Sequence, residues 1–268
     1  MSTATAAPRR RISFGSLLLT IFSHQVRTAL LSRKTIFLGL TALLPALGAV
    51  FYLLLDGKGG VDFYSAIIDN AVMTFLLPLV CLFYGGPAVV EEIEGRTITY
   101  LFLRPISKPA IYLGKLGAAI VASLAVMVPA TIIFYILSML AGGSIGDSIQ
   151  FGLQTFVGVA LGCISYTATF AAAGALFSRS ILGGILYWVV IEVGLSIVPV
   201  LEYATQKFHL RNVANLIDFE DISWLESMII GDNPIIVPIW ASFLIIFLLI
   251  SALFTLGTLT FNNKQYLV

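Results

Sequence analysis

The sequence predicts an all-α polytopic membrane protein: six transmembrane helices preceded by an amphipathic cytoplasmic interfacial helix, with both termini cytoplasmic. Of the 268 residues, 59% are hydrophobic and 11% are charged, whereas soluble domains carry about 25% charged residues. The mean hydropathy is +0.99, and the apolar residues fall into runs of about 20, enough to cross the hydrocarbon core. This composition excludes disordered, collagen-like and disulfide-rich proteins. The net charge of +1 gives no indication of a nucleic-acid partner.

Residues 1–13 are predicted to be a flexible basic N-terminus, and residues 14–34 an amphipathic entry helix. Within 14–34, a polar stripe falls on one helical face, opposite a face of apolar side chains; it consists of Ser16, Thr20, Ser23, Arg27 and Lys34. A helix of this kind lies in the membrane interface and leads the chain into its first crossing.

Six apolar runs predict the membrane spans, and none alternates as a barrel strand would. The predicted spans are residues 35–55, 66–90, 111–140, 149–177, 181–201 and 235–261. Pro129 removes a backbone donor, so the third span could bend there. Within the connection 202–234, residues 214–230 mix Trp224 and other apolar residues with acids, which predicts short interfacial helices. Residues 262–268 form the predicted cytoplasmic tail.

The distribution of Lys and Arg predicts the orientation, because cytoplasmic connections are enriched in positive charge. Only Lys58, Lys207 and Arg211 of the 15 basic residues lie on one side of the predicted spans. The other twelve lie on the opposite, cytoplasmic side: Arg9, Arg10, Arg11, Arg27, Arg33, Lys34, Arg96, Arg104, Lys108, Lys115, Arg179 and Lys264.

The predicted cytoplasmic connection 91–110 carries the most specific pattern in the chain. It contains the only cytoplasmic acids, Glu91, Glu92 and Glu94, then Gly95 and Arg96. The strings VVEEIEGRT at 89–97, LFLRPISK at 101–108 and YLGKL at 112–116 resemble the permease subunits of ATP-binding-cassette (ABC) transporters of the type-2 exporter class. The extra arginine between Gly95 and Thr97 is the one departure from that pattern.

The resemblance implies a complex of two permeases with two cytoplasmic ABC ATPase subunits in a prokaryotic plasma membrane. The second permease would be a copy of this chain or a paralogue. ATP and magnesium would bind to the ATPase, and this chain would hold no cofactor. The entry helix, 91–108 and 178–180 would seat the ATPase. The coupling residues carried over are Glu91, Glu92, Glu94, Gly95, Arg96, Arg104, Pro105, Ser107, Lys108, Arg27 and Arg179.

The chain lacks the residues that would support catalysis on its own. No phosphate loop of the G-x-x-x-x-G-K-[ST] type occurs. His24 and His209 are predicted on opposite sides of the membrane, so no histidine-based metal or catalytic cluster is expected. Neither a serine–histidine pair nor paired aspartates are expected at membrane depth, as a membrane protease would need. Cys81 and Cys163 lie in apolar runs, where thiols behave as small hydrophobes.

Glu192 is the one ionisable residue near the middle of a predicted span. It is either a neutral carboxyl hydrogen-bonded within the bundle, for example to Tyr166 or Thr169, or a group on a substrate or proton path. Tyr187 and Ser196 could extend a polar strip around it. Two alternatives to an ABC exporter therefore stay open: an ion-coupled secondary transporter centred on Glu192, and a non-transporting membrane scaffold or maturation subunit that works with an ATPase.

Overall fold

The computed structural model describes residues 14–55, 60–88, 108–140, 148–176, 180–217 and 236–263. These residues are helical, joined by turns and short irregular segments, and none of them lies in a strand. The all-α polytopic class is therefore confirmed. Both cysteines are buried and free.

The entry helix, Phe14–Leu30, is four residues shorter than predicted. Four residues of its predicted polar stripe are exposed, whereas the fifth, Lys34, lies beyond this helix in span 1 and is half-buried. The opposite face is half-buried apart from Phe14, which is exposed. That face packs on the third span, where Gly114 and Gly117 leave room for Ile21 and Phe22. A Cβ at Gly114 would lie 3.1 Å from the Ile21 Cγ2 atom and 3.3 Å from the Leu18 carbonyl oxygen. The glycine of the YLGKL string thus allows the close approach of two helices.

Span 1, Arg33–Leu54, begins after Ser32, whose hydroxyl accepts from the Thr35 amide as an N-cap. It consists of two helices, Arg33–Ala42 and Leu44–Leu54, separated at Leu43. Pro45 lies in the first turn of the second piece and lacks the amide proton that would continue the hydrogen-bond ladder. The hydropathy pattern did not predict this interruption.

Span 2 comprises Val61–Ile67, a π-helical segment Ile68–Leu76, and Leu77–Gly85. It begins five residues earlier than predicted. Span 3 is Lys108–Leu140, which continues through Pro129, and span 4 is Ile149–Leu176. The helix that ends the described chain, called the last helix, is Ile239–Asn263. Spans 3 and 4 and the last helix begin and end within four residues of the predicted positions, whereas span 2 is shifted by five residues.

The predicted fifth span is the element that differs most from expectation. It is an α-helix over Ser180–Tyr187, a π-helical segment over Trp188–Gly194 and a 3₁₀ turn over Leu195–Ile197, here called the broken fifth helix. Its apolar part, Ile181–Gly194, is about 21 Å long at 1.5 Å per residue, short of the ~30 Å hydrocarbon core. In the described residues, five helices are long and apolar enough to span a membrane.

Beyond the broken fifth helix, a single turn over Pro199–Glu202 precedes the helix Gln206–Val213, here called the linker helix. The linker helix lies within the predicted outer connection 202–234, but it precedes the segment 214–230 from which short helices are predicted. Residues 218–235 lie outside the described part of the chain.

Spans 2, 3 and 4 form the centre of the bundle. An aromatic cluster around Tyr64 forms part of this core. The Tyr64 ring centroid lies 5.1 Å from that of Phe134, 5.4 Å from that of Tyr135 and 5.9 Å from that of Phe151. Spans 2 and 4 cross closely at Gly85, where an added Cβ would lie 2.5 Å from the Thr167 carbonyl oxygen. Span 4 also packs against the broken fifth helix, so this core positions the polar residues of that helix.

Candidate functional site

Glu192 lies in the π-helical segment of the broken fifth helix and is 2% exposed. Two tyrosine hydroxyls donate to its carboxylate: Tyr166 to Oε2 at 2.9 Å and Tyr187 to Oε1 at 3.2 Å. Two backbone amides donate as well, from Gln206 to Oε1 at 3.2 Å and from Lys207 to Oε2 at 3.1 Å. Each oxygen thus receives two donors, which is the arrangement that satisfies an ionised carboxylate.

The two backbone amides belong to the first turn of the linker helix. Thr205 caps this turn, and its hydroxyl oxygen accepts from the Phe208 amide at 3.2 Å. The amides of the first turn have no partner within the helix, and the helix dipole favours a negative charge there. Glu192 and Thr205 together satisfy the amides of Gln206, Lys207 and Phe208. Glu192 therefore anchors the linker helix to the broken fifth helix.

The Gln206 side chain extends this network towards span 4. Its amide nitrogen donates to the Thr169 hydroxyl at 2.8 Å and to the Tyr187 hydroxyl at 2.7 Å. The Thr169 hydroxyl in turn donates to the Ser165 carbonyl at 2.9 Å. The hydrogen-bond directions are consistent along the whole chain of groups, because each hydroxyl donates once and accepts once.

Two further residues of the linker helix, Arg211 and Asn212, form hydrogen bonds with neighbouring segments. Arg211 donates to Asp69 of span 2 at 2.8 Å and to Glu202 at 3.0 Å. Asn212 donates to the Ser242 hydroxyl at 2.9 Å and to the Val237 carbonyl at 2.8 Å, both near the start of the last helix. Contacts from one short helix thus reach span 2, span 4, the broken fifth helix and the last helix.

A second connection joins the two π-helical segments. The Trp188 indole nitrogen donates to the Thr74 carbonyl of span 2 at 3.3 Å, and its ring lies 5.6 Å from that of Phe75. π-helical turns displace backbone carbonyls from the regular ladder and occur often at functional sites. The Thr74 carbonyl belongs to such a segment, and it accepts a hydrogen bond from Trp188 of the broken fifth helix.

The sequence did not predict the serine–histidine contact that the structure shows. His209 Nδ1 lies 3.1 Å from the Ser242 hydroxyl. The serine is 0% exposed, so a substrate cannot reach the hydroxyl, and the pair serves to join the linker helix to the last helix. Burial lowers the pKa of the His209 imidazole below its usual range. Burial, followed by the charge of Arg211, also lowers the pKa of Lys207.

The site residues predicted from the sequence do not form a single cluster in the structure. Glu192 and Tyr187 share one network, in which Tyr166 bonds to Glu192 as suggested, whereas Thr169 is connected to Glu192 only through Gln206. Ser196 donates to the Glu192 carbonyl rather than to its carboxylate. Arg27 is exposed on the entry helix, and Lys108 begins span 3. The remaining coupling residues lie outside the described part of the chain: Glu91, Glu92, Glu94, Gly95, Arg96, Arg104, Pro105, Ser107 and Arg179.

The sequence did not indicate Gln206, Arg211 or Asp69 as site residues. Gln206 and Arg211 belong to a predicted loop, and Asp69 falls in the first turn of the predicted second span, 66–90, where no role was predicted for it. One signal was available: Thr205 is a good N-cap residue, and it precedes an eight-residue amphipathic stretch.

Helices long enough to cross a membrane, a short broken helix and a buried polar cluster define a multi-pass helical membrane protein. The model of the family described as "ABC-2 family transporter protein" matches residues 31–194, more than half of the chain. The chain belongs to this family, and it is a membrane permease component of an ABC transporter. The match extends from span 1 to just beyond Glu192. A search of curated proteins gives no significant match.

Proposed function

We propose that the chain is the transmembrane subunit of an ATP-driven exporter in a prokaryotic plasma membrane. It would couple ATP hydrolysis by a separate cytoplasmic ABC ATPase, which binds ATP and magnesium, to movement of a substrate through a pair of permeases. The family match over residues 31–194 is the observation that carries this proposal. The excess of basic residues on one side supports the proposed orientation, with both termini cytoplasmic.

The packing of the entry helix supports its proposed role in coupling. The helix rests on the start of span 3 through Gly114 and Gly117, so a push on its exposed face would be transmitted to that span. Arg27 lies on the exposed face, and Lys108 is the first residue of the same span. Glu91, Glu92 and Glu94 are proposed to contact the ATPase from the connection between spans 2 and 3.

The surroundings of Glu192 give no support to an ion-coupled carrier. Such a carrier needs a carboxylate that can exchange its partner for a proton or an ion. Both oxygens of Glu192 are occupied by donors from the chain itself. We therefore assign Glu192 to the architecture of the permease.

The test is reconstitution of the purified chain in nanodiscs, alone and with a coexpressed ABC ATPase. We expect no ATP hydrolysis by the chain alone, and a stable complex whose hydrolysis rate differs from that of the free ATPase. Replacing Glu91, Glu92 and Glu94 together by Ala should abolish that difference while membrane insertion is retained.

The matched control replaces three acids of the predicted outer connection, Glu220, Asp221 and Glu226, by Ala. This variant removes the same charge and should behave as the wild type. Hydrolysis by the chain alone, or equal effects of the two triple variants, would contradict the proposal.

A further inference from the structure

The π-helical segment of the broken fifth helix changes which residue faces the bundle. Gly184, in the α-helical part, faces inward, because a Cβ added there would lie 2.3 Å from the Leu82 Cδ1 atom and 3.0 Å from the Phe170 Cδ1 atom. Each residue of an α-helix turns by about 100°, so in a continuous helix Ile191 would return to within about 20° of the Gly184 direction, and Glu192 would point about 80° away from it. In the structure, Glu192 is 2% exposed and Ile191 is only half-buried. The π-helical segment therefore moves the inward position by one residue, from Ile191 to Glu192.

The linker helix supplies contacts that hold this arrangement. π-helical segments are rare, so specific contacts are needed to stabilise one. Two amides of the first turn of the linker helix donate to the Glu192 carboxylate, and Arg211, near its other end, donates to Asp69 at 2.8 Å. Asp69 belongs to the π-helical segment of span 2, and the same segment accepts the Trp188 hydrogen bond at the Thr74 carbonyl. One short helix thus bonds to an acid in each of two π-helical segments that contact each other.

The sequence of the fifth helix also fits a regular α-helix. A continuous helix over Ser180–Ile197 would be about 27 Å long, close to the ~30 Å hydrocarbon core, and Ile191 would take the inward position. The Glu192 carboxyl would then lie between Ile181 and Ile185 on the helix surface. These two residues are 40% and 41% exposed, so the carboxyl would leave the linker-helix amides and face lipid. A charged carboxylate is costly in that position, and the group would take up a proton from water and become neutral.

The two ends of the linker helix differ in how easily their contacts can open. Glu192 is buried, whereas the side chains of Arg211 and Asp69 are 21% and 20% exposed. Water and salt weaken ion pairs that are partly exposed. Release of the linker helix would therefore begin at the Asp69–Arg211 contact.

We propose that the fifth helix has two registers and that the linker helix selects between them. When the linker helix is docked, the fifth helix is broken and Glu192 faces inward. When the Asp69–Arg211 contact opens, the fifth helix closes into a continuous α-helix, Ile191 faces inward, and the neutral Glu192 carboxyl turns to the helix surface. The proposal does not depend on the transport function proposed above, because each step can be tested on the permease without an ATPase.

The test is infrared spectroscopy of the purified full-length chain in dodecyl maltoside, a detergent without carbonyl groups, in the region where protonated carboxyls absorb. The Glu192 signal is the difference between each protein and the same protein carrying Glu192→Gln. We expect Asp69→Asn to increase this signal about threefold, within the range by which the loss of one partly exposed ion pair shifts a two-state equilibrium.

Glu202→Gln is the matched control. Glu202 is the other partner of Arg211, at 3.0 Å and with its side chain 25% exposed, and it lies outside both π-helical segments. This variant removes the same charge from beside the same arginine and should leave the Glu192 signal as it is in the wild type.

Deletion of Val190 separates a change of register from a local loss of charge. Val190 is 51% exposed and lies between Gly184 and Glu192. Its removal makes Glu192 the seventh residue after Gly184 instead of the eighth, so a regular α-helix then places Glu192 inward. In this background Asp69→Asn should leave the Glu192 signal unchanged.

A Glu192 signal in Asp69→Asn that stays at the wild-type level would overturn the proposal, and so would an equal increase in Glu202→Gln. An equal increase with and without Val190 would also overturn it, because the effect would then require no change of register. If the chain without Val190 does not fold, the comparison of Asp69→Asn with Glu202→Gln still decides.

Discussion

The carboxylate of Glu192 is surrounded by four donors, two of which are backbone amides that cannot reverse their role. Glutamine would replace one acceptor oxygen with an NH₂ group that faces such donors. We expect Glu192→Gln to lower the free energy of unfolding by about 2 kcal/mol, the value of a charge-assisted hydrogen bond. The measurement is denaturant unfolding of the purified chain.

Tyr166→Phe is the control for this experiment, because it removes one donor and leaves the carboxylate in place. Its expected cost is about 1 kcal/mol. If Glu192→Gln were as stable as the wild type, the carboxyl would be neutral in the folded protein, as the first of the two sequence-based hypotheses held.

His209 provides a pH-dependent test of the linker helix. Its folded-state pKa is lowered by burial, so below pH ~6.5 the unfolded chain takes up a proton more readily than the folded one. Stability should therefore be at its full value above that pH and decrease as the pH falls through 6.5 towards the lower folded pKa. Thermal unfolding measured between pH 5 and pH 8 would show this.

The comparison for His209 is His209→Gln, which cannot titrate and keeps a polar group near Ser242. This variant should show a weaker loss of stability at acidic pH. A loss as steep as that of the wild type would assign the pH dependence to other groups.

The sequence identified Glu192 because it is the one ionisable residue near the middle of a predicted span, and Tyr166 because it lies on the neighbouring span. It could not identify the two amides that complete the site. Those amides belong to Gln206 and Lys207, fourteen and fifteen residues further along the chain. Backbone groups have no signature of their own in a sequence, so only the folded chain could show which amides meet the carboxylate.

Among the helices, regular periodicity was the reliable predictor. The polar stripe is exposed as expected from Ser16 to Arg27, because its spacing follows directly from 3.6 residues per turn; it fails at Lys34, which lies beyond the end of the entry helix. The interruptions at Leu43 and across Trp188–Gly194 were missed. Hydropathy measures how apolar a segment is. It does not show to which carbonyl each amide donates, and that choice distinguishes an α-helix from a π-helical or 3₁₀ turn.

The crossing of spans 2 and 4 gives a test at the scale of these elements. Gly85→Ala would place a Cβ 2.5 Å from the Thr167 carbonyl oxygen, a backbone atom that cannot turn aside. We expect a loss of about 1–3 kcal/mol, typical of overpacking. Gly48→Ala is the control, because nothing lies within 4 Å of its Cβ position and alanine is the better helix former.

Thermal unfolding of the two alanine variants should therefore show opposite shifts. Equal stability of Gly85→Ala and the wild type would contradict the close crossing of spans 2 and 4.

At the scale of the whole molecule, burial decreases from the centre of the bundle to its periphery. In the most apolar windows of the helices, 72% of span 4 is buried, against 22% of span 1 and 11% of the last helix. A single chain therefore presents large apolar surfaces, which either lipid or a second permease would cover. Lipid chains and the membrane-facing surface of a second permease are both apolar. Which of them covers the apolar surface of this chain therefore depends on packing rather than on transfer from water.

Two leucines test which surfaces are packed in the purified protein. Leu116 is 0% exposed in span 3, and Leu248 is 58% exposed in the last helix. Leu116→Ala leaves a cavity and should cost about 2–5 kcal/mol. Leu248→Ala should cost less than about 0.5 kcal/mol if fluid lipid covers that helix, since lipid chains fill the space. Unfolding in nanodiscs, with each variant compared to the wild type, gives both values. A cost of 2 kcal/mol or more at Leu248 would contradict lipid coverage and would mean that another protein surface packs against the last helix.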